Sequence, residues 1–398
     1  MGLDRVRTVK VAMGLNPACT IITVGGTNGK GSACMMLEAI LHQAGYATGC
    51  YTSPHLMRYN ERVRIAREVA DDAQLIRAFA VVERARAQVD VMLTYFEFGT
   101  LAAMWLFVEA RVDVAILEVG LGGRLDAVNV FEPDCSLVMS IALDHMNYLG
   151  DTREKIGFEK AGIFRTNKPT ICADADPPQT VVDHARAVNA PLLVRGRDFD
   201  AQPAPNQWAY KGPGGARHGL PWPALRGTYQ LGNAAACIAA LDTLRERWAV
   251  SVNDIRSGLL IAENPGRFQV LPGQPMVILD VAHNPHAAQA LAESLKSLPR
   301  GGRIFAVFAM LADKDIDGVI AIMKPRIDHW FAAGLGVPRG APVTAIEQKL
   351  SNAGITCTTR CVSVAEAVRL AREAAKVDDK ILVFGSFYTV SEAMQALH

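Results

Sequence analysis

Short apolar runs rich in β-branched residues alternate with stretches of helical periodicity along most of the chain. In the first two thirds the strand-like runs are CTIITV, TGCYTS, VDVAILEVG and CSLVMSIAL, and a helical pattern from Ser32 to Ala44 follows the first of them. This alternation is typical of βαβ units and predicts a doubly wound parallel sheet. Ligands of such sheets bind beyond the carboxyl ends of the strands, so the residues after each run are the first candidates for function.

A dense group of prolines and glycines between Asn264 and Pro275 interrupts this pattern and predicts a domain hinge. The alternation then resumes in MVILDVAHN, RIFAVFAML, HWFAAGL, ITCTTR and KILVFGS, with helical segments such as Ser363 to Ala375 between them. We therefore predict an α/β protein of two domains. Residues 1–265 would form a doubly wound P-loop-type ATPase domain, and residues 266–398 a smaller Rossmann-like α/β domain. Segment 195–227 lacks periodicity and is expected to be a hairpin excursion or a mobile surface loop.

The overall charge balance argues against two classes of partner. The 41 basic and 40 acidic residues are well mixed and leave a net charge of +1, so nothing favours nucleic acid or an anionic membrane surface. No apolar run approaches the roughly 20 residues that span a bilayer, and the segment MGLDRVRTVKVAMGLN lacks the apolar core of a signal peptide. The eight cysteines are scattered and never form CxxC, which indicates reduced thiols without a zinc site. We expect a monomer in the cytoplasm.

The stretch GGTNGKGS, residues 25–32, stands between the first apolar run and the first helical pattern. A strand that passes through a glycine turn into a helix places backbone N–H groups where they can hold a phosphate, and Lys30 adds positive charge. Val24 and Gly31 depart from the strict P-loop pattern, which has glycine and a hydroxyl residue at those positions. The alternative is an ordinary strand-to-helix turn.

Three further strand ends carry polar groups. Glu118 ends VDVAILEVG and could ligate Mg²⁺, although a lone loop glutamate is more often solvent-facing. His145 follows CSLVMSIAL in an Asp-His pair, and Ser53 and His55 follow the second run; taken singly, these would be a structural histidine and a turn. Together the four strand ends form a set suited to a Mg²⁺-nucleotide. Because we find neither a GxSxG elbow nor a Cys/His nucleophile, the set favours phosphoryl transfer by positioning and charge neutralisation.

Longer blocks resemble a known family. GTNGKGS, YTSPHLMRYNERVRI, TYFEFGT, LEVGLGGRLDAVN, DHMNYLGDTREKIGFEKAGIF, GRFQ, LDVAHNPHA and FGSFYTV occur in order along the whole chain. They resemble the folylpolyglutamate synthase/dihydrofolate synthase family, which is related to the Mur peptide ligases. The TYFEFGT and YTSPHL blocks disfavour a peptidoglycan Mur ligase.

The resemblance implies an ATP-dependent ligase that phosphorylates the carboxylate of dihydropteroate or a reduced folate and lets the amino group of L-glutamate displace the phosphate. Closure over the hinge would keep the acyl phosphate from water. The RLDA sequence resembles the bifunctional bacterial type. Two alternatives remain open: a folylpolyglutamate synthase without the dihydropteroate activity, and a nucleotide-binding switch without ligase activity.

The resemblance also implies a nucleotide and metal site. The ATP phosphates would be held by Gly25, Thr27, Asn28, Gly29, Lys30, Gly31 and Ser32. Metal ligands would be Ser53, Glu118, His145 and Lys160. Lys160 matches a family lysine that reacts with CO₂ to a carbamate, which can ligate Mg²⁺; the alternative from sequence alone is a helix-surface lysine. Two Mg²⁺ ions and a candidate monovalent cation are expected as cofactors.

Other residues match positions further from the phosphate loop. Asn233 would lie near the base of ATP, Arg267 at its phosphates, and Asp280 would complete that site. His283 and Ser386 are candidates for the glutamate or acyl-phosphate side, and the alternative for both is a loop cap. With Lys30 and Lys160 they form the predicted catalytic set.

The pterin or benzoate would contact two blocks through stacking and hydrogen bonds. Their residues are Thr94, Tyr95, Phe96, Glu97, Leu125, Asp126 and Ala127. The alternative for the aromatic pair is ordinary core packing. Family members usually have some tens of residues before the segment that matches Met1–Val6, so we expect that a chain starting here has impaired dihydropteroate affinity.

Overall fold

The computed structural model describes residues 2–298 and 301–397 and divides into two compact units. The first unit contains the residues up to Ala224 and Gln230–Glu263, and the second contains Leu225–Tyr229 and the residues from Asn264 onward. The chain therefore passes between units at the start of the Pro/Gly-rich stretch. Much of that stretch is not a free linker, because Gln269–Leu271 forms an edge strand of the second unit's sheet.

The first unit is built on an eight-stranded sheet. Its strands are β1 (Thr20–Gly25), β2 (Thr48–Tyr51), β3 (Val63–Ile65), β4 (Glu68–Val69), β5 (Val114–Glu118), β6 (Cys135–Val138), β7 (Thr170–Cys172) and β8 (Leu192–Val194). The order is β4-β3-β2-β5-β1-β6-β7-β8. Strands β2, β5, β1, β6, β7 and β8 are parallel, whereas β3 and β4 each pair antiparallel. Strand β1 is central, with Val24 opposite Glu118 of β5 and Gly25 opposite Val138 of β6. The predicted doubly wound sheet is confirmed, and the four polar strand ends belong to four adjacent strands.

Nine helices are described in the first unit. They are α1 (Asp4–Ala12), α2 (Lys30–Gln43), α3 (Asp72–Gln88), α4 (Tyr95–Glu109), α5 (Met146–Leu149), α6 (Arg153–Ala161), α7 (Gln179–Ala187), α8 (Tyr229–Thr243) and α9 (Val252–Ile261), with 3₁₀ segments at Tyr59–Arg62 and Ala127–Val130. Helix α2 begins at Lys30, two residues before the predicted start at Ser32. Lys30, Gly31 and Ser32 therefore lie in its first turn, where backbone N–H groups have no intrahelical partner.

Residues 195–227 contain a three-stranded antiparallel sheet. Its strands are β9 (Asp200–Pro203), β10 (Trp208–Gly212) and β11 (Gly215–Leu220). The buried carboxylate of Asp242 on α8 accepts hydrogen bonds from Tyr210 Oη (2.8 Å) and Gly214 N (3.0 Å) and pairs with Arg217. Of the two predicted alternatives the hairpin is confirmed, and the mobile loop is wrong.

The second unit has a six-stranded sheet. Its strands are β12 (Gln269–Leu271), β13 (Met276–Asp280), β14 (Ile304–Phe308), β15 (His329–Ala333), β16 (Thr358–Cys361) and β17 (Lys380–Phe384). Its helices are α10 (Pro285–Leu295), α11 (Ile316–Met323), α12 (Val343–Asn352), α13 (Val364–Ala374) and α14 (Phe387–Leu397), with a 3₁₀ segment at Lys324–Arg326. The order is β12-β13-β17-β14-β15-β16, parallel except for β12. All five predicted strands and the predicted α/β architecture are confirmed.

Two further observations concern the whole described chain. All eight cysteines are free, in agreement with the predicted reduced thiols. Among residues 2–298 and 301–397, no helix combines the length and the apolar content that a membrane span requires.

Candidate active site

The glycine loop after β1 is closely packed by its own protein. Gly26 and Gly29 have φ angles of +140° and +90°, which residues with a side chain rarely adopt. A Cβ at Gly26 would lie 2.8 Å from Met139 Cβ, and one at Gly29 would lie 2.9 Å from Asn233 Oδ1. The glycines therefore allow the loop to pack against the segment after β6 and against helix α8.

Hydrogen bonds fix this loop to the residues after β6. Ser140 O accepts from Thr27 N (2.6 Å), and Ser140 Oγ accepts from Asn28 N (3.1 Å). Thr27 Oγ1 accepts from Ala142 N and donates to Ala142 O, both at 3.1 Å. Sequence reasoning missed Ser140, although a serine just beyond a buried strand was a usable signal. These hydrogen bonds within the protein thus fix the shape of the loop.

Lys30 lies directly on the loop that it was predicted to serve. Its Nζ donates to Gly26 O (3.1 Å) and Thr27 O (3.3 Å). Phosphate oxygens that bind here would replace carbonyl oxygens as acceptors, so the ammonium is already at the point where negative charge would be neutralised.

Glu118 and Ser53 meet at the carboxyl ends of β5 and β2. The Glu118 side chain is buried, with 4 % of the residue exposed, and its Oε2 accepts from Ser53 N at 3.0 Å. The solvent-facing alternative for Glu118 is therefore wrong. A buried carboxylate beside a serine at a strand end has the oxygen chemistry that Mg²⁺ prefers.

His145 stands at the start of the short helix α5 with a left-handed backbone, φ +52°. Asp144 Oδ1 accepts from His145 N at 2.8 Å. The preceding Ile141 is held from two sides, because Asp174 Oδ2 accepts from its N–H and Arg153 Nε donates to its carbonyl, both at 3.0 Å. The segment that carries His145 is therefore fixed by the ends of β7 and α6. Sequence reasoning missed these two hydrogen bonds, because they join residues that are distant along the chain.

Lys160 on α6 is a buried amine. Only 3 % of the residue is exposed, and no hydrogen bond or ion pair joins its Nζ to any residue that the structure describes. Its pKa is lowered to about 7, mainly by burial and also by the positive charge of Lys30, while the carboxylates of Asp144 and Asp126 partly oppose the shift. The helix-surface alternative is wrong. A substantial fraction of this amine is neutral, and therefore nucleophilic, near neutral pH.

Thr94 and Glu97 have a structural role at the start of α4. They form a capping box in which Glu97 Oε2 accepts from Thr94 N (2.7 Å) and Thr94 Oγ1 accepts from Glu97 N (3.3 Å). Arg5 adds an ion pair to Glu97 at 3.1 Å. Because these side-chain oxygens accept hydrogen bonds within the protein, we expect this pair to affect substrate binding by holding helix α4 in position.

The two aromatic residues of this block differ in environment. Phe96 packs against Gly120, just beyond β5, and against Tyr51, with ring centroids 5.8 Å apart. Tyr95 is 63 % exposed, and the guanidinium of Arg62 lies 5.3 Å from its ring centroid. Phe96 therefore packs partly in the core, whereas Tyr95 is mostly exposed to solvent.

Asp126 caps the 3₁₀ segment between Leu125 and Phe131. Its oxygens accept from Leu121 N (2.8 Å) and Val128 N (3.1 Å), and burial raises its pKa to about 6. The carboxylate thus holds the LGGRLDA loop in shape, and a pterin would use the lone pairs that remain. Leu125 is partly buried and Ala127 buried.

The candidates in the second unit lie near the carboxyl ends of the adjacent strands β13 and β17. The buried carboxyl of Asp280 accepts from Phe268 N and Ala282 N, both at 2.8 Å, and burial raises its pKa.

The other candidates of this unit also make contacts within the protein. The Arg267 guanidinium lies 5.0 Å from the Phe387 ring centroid, and Ser386 Oγ accepts from Thr389 N at 3.0 Å. His283 Nδ1 lies 2.8 Å from Val281 O. These contacts support the capping alternative for Ser386, and the catalytic roles in this unit stay predictions.

The described residues contain no group of three or more His, Cys, Asp or Glu placed to hold a metal ion. A metal at the first unit's strand ends would therefore take part of its coordination from phosphate, water, hydroxyl or carbamate oxygens. Mg²⁺ is commonly bound in this way, by one or two carboxylates together with substrate phosphates.

Comparison with known proteins agrees with this architecture. The Mur ligase middle domain model matches residues 24–241, and the Mur ligase glutamate ligase domain model matches residues 266–387. A dihydrofolate synthase/folylpolyglutamate synthase of Escherichia coli is 46 % identical over 398 residues, covering 100 % of this chain and 91 % of that protein.

Solved structures show the same similarity. Escherichia coli FolC in complex with DHPP and ADP has a TM-score of 0.94 and 46 % identity, covering 100 % of this chain and 93 % of that one. A bifunctional folylpolyglutamate synthase/dihydrofolate synthase with Mn, AMPPNP and L-glutamate bound has a TM-score of 0.93 and 44 % identity, covering 100 % and 94 %. The chain therefore belongs to the dihydrofolate synthase/folylpolyglutamate synthase family of Mur-type ligases.

Proposed function

We propose that this protein uses ATP to join L-glutamate to dihydropteroate and to reduced folates. The observation that carries the proposal is the cluster at the ends of β1, β2, β5 and β6, where the glycine loop, Lys30 and buried Glu118 share one edge of the sheet. The buried amine of Lys160 on α6 is close enough to feel the charges of Lys30 and Asp144. The nucleotides, DHPP and L-glutamate bound by similar proteins support the same assignment.

The glycine loop would hold the ATP phosphates through the N–H groups of residues 25–32, at the positive end of the α2 dipole. Lys30 Nζ would leave the carbonyls of Gly26 and Thr27 for phosphate oxygens and neutralise the charge that develops during transfer. The side-chain amide of Asn233, which abuts Gly29, would recognise the adenine edge.

The metal would be Mg²⁺, held by Ser53, Glu118, His145 and the carbamate of Lys160, in two sites; a monovalent cation is a further candidate cofactor. Bound there, Mg²⁺ would neutralise the phosphate oxygens as a Lewis acid. The neutral Lys160 amine attacks the carbon of CO₂, a C–N bond forms, and one proton is lost to solvent. This step converts a cation into an anionic oxygen ligand, for which the lowered pKa and the absence of an ion-pair partner among the described residues suit Lys160.

In the reaction, a carboxylate oxygen of the pteroate or folate attacks the γ-phosphorus of ATP and ADP leaves. The neutral amino group of glutamate then attacks the carbonyl carbon of the acyl phosphate, phosphate leaves with the C–O bond electrons, and the nitrogen loses one proton to solvent as the amide forms. The rigid loop and Lys30 supply positioning and charge, and no side chain needs to become covalently attached to substrate.

Replacing Gly29 with alanine is expected to weaken nucleotide binding strongly. The added Cβ combines an unfavourable φ with a contact 2.9 Å from Asn233 Oδ1, so the loop or α8 must move. Gly45→Ala is the matched control, since Gly45 has φ +88° but no atom within 4 Å of an added Cβ. Calorimetry with ADP is expected to show binding at least tenfold weaker for Gly29→Ala, which corresponds to about 1.4 kcal/mol. Gly45→Ala is expected to bind ADP as the wild type does. Equal affinities for the two variants would contradict this role.

The activity itself is tested by incubating the protein with ATP, Mg²⁺ and L-glutamate plus either dihydropteroate or a reduced folate. Mass spectrometry is expected to show one added glutamyl residue on each acceptor, with ADP formed in equal amount. Product from the reduced folate alone would establish the folylpolyglutamate-only alternative. Nucleotide binding without product from either acceptor would favour the switch alternative.

A further inference from the structure

Gln230, in the first turn of helix α8, connects two parts of the nucleotide site. Its side chain is fully buried. Its Nε2 donates to Ser32 Oγ at 3.3 Å, and its Oε1 accepts from Asn233 Nδ2 at 2.9 Å. The amide thus joins the first turn of α2, which starts at the glycine loop, to the asparagine that abuts Gly29.

From this connection we propose that Gln230 is a positioning residue that sets the orientation of the Asn233 amide and thereby the preference for adenine. The proposal deepens the proposed function and rests on it. With its carbonyl oxygen accepting from Nδ2, Gln230 determines which end of the Asn233 amide is the donor. Asn233 Oδ1 is consequently directed to the glycine-loop side, and the second Nδ2 hydrogen has a defined direction.

Orientation matters because an amide recognises adenine only one way round. Its oxygen accepts from the adenine amino group while its nitrogen donates to N7; guanine offers a carbonyl oxygen in place of the amino group. An amide held in the adenine orientation therefore disfavours guanine, whereas a freely rotating one discriminates less. Because a buried amide with both ends bonded is fixed in place, Gln230 provides the restraint that a lone Asn233 lacks.

Binding of ADP and GDP, measured by calorimetry without turnover, tests this assignment. Gln230→Met keeps the approximate side-chain shape and removes both hydrogen bonds. We expect the ratio of GDP to ADP dissociation constants to fall by about tenfold, a typical size for one amide–base pair. The Gln230→Glu side chain still accepts from Asn233 Nδ2, so we expect its ratio of GDP to ADP dissociation constants to stay near that of the wild type. Its negative charge is expected to weaken the binding of ADP and of GDP by the same factor. Gln289→Met, at an exposed site on α10, is the control for the substitution itself.

A wild-type ratio in Gln230→Met, combined with a lowered ratio in Asn233→Ala, would overturn the inference and leave the proposed function intact. A wild-type ratio in Asn233→Ala would overturn both the inference and the role proposed for Asn233. If Gln230→Met does not fold, the Gln230→Glu variant decides. A ratio of GDP to ADP dissociation constants as low in Gln230→Glu as in Asn233→Ala would then overturn the proposal. A merely structural role would lower the melting temperature without changing the ratio.

Discussion

Replacement of Lys160 by alanine is expected to reduce substrate-dependent ADP formation by about 10³-fold, the upper range for loss of one charge-stabilising group. The variant removes the amine that supplies the carbamate ligand in this proposal, and it leaves a small apolar group in a buried position on α6. The rate is measured with ATP, L-glutamate and dihydropteroate, and the melting temperature shows whether the fold is retained.

Lys155 provides the matched control on the same helix. Its side chain is 63 % exposed and pairs with Asp151 at 2.8 Å, so Lys155→Ala is expected to have the wild-type rate. Removing dissolved CO₂ should lower the wild-type rate, and bicarbonate should restore it. Wild-type turnover by Lys160→Ala would exclude a role for this lysine.

Substitution of Glu118 by glutamine is expected to raise the metal concentration needed for half-maximal rate by more than about 100-fold, since a direct ligand should cost at least as much as the 10–100-fold loss typical of an indirect partner. The amide has the same shape and its oxygen still accepts from Ser53 N, but the negative charge is lost. The change therefore removes the charge while keeping the contact between the ends of β5 and β2.

The control is Glu109→Gln, at the exposed end of α4, where the carboxylate pairs with Arg77 at 3.5 Å. We expect it to behave like wild type with Mg²⁺ and with Mn²⁺. Direct Mn²⁺ binding in the presence of ADP gives a readout independent of turnover. An unchanged metal requirement in Glu118→Gln would place the metal elsewhere.

Much of the fold follows from local pattern. Strands β1 and β5 are continuous apolar runs because both faces of a central parallel strand are buried, and this is visible in CTIITV and VDVAILEVG without knowledge of tertiary contacts. The same holds for the inner strands β13, β14, β15 and β17 of the second unit. Since parallel strands share a carboxyl edge, the gathering of the glycine loop, Glu118 and His145 was also predictable.

Other features depend on contacts between distant residues. Lys160 reads as a surface lysine in GFEKAG, yet the LGGRLDA loop covers α6, and a Cβ at Gly123 would lie 2.9 Å from Lys160 O. The glycine repeat in that loop was the available signal for such close packing. Thr94 and Asp126 accept hydrogen bonds from nearby backbone N–H groups, a capping role that the family blocks did not reveal, and their contact with substrate stays a prediction.

The central claim is that the carboxylate of the acceptor is phosphorylated before glutamate attacks. Acceptor labelled with ¹⁸O in its carboxylate tests it directly, by mass spectrometry of the phosphate released during one round of ligation. Transfer through an acyl phosphate predicts one ¹⁸O atom in each phosphate formed. Phosphate without ¹⁸O, from a reaction that still makes the amide, would contradict the account.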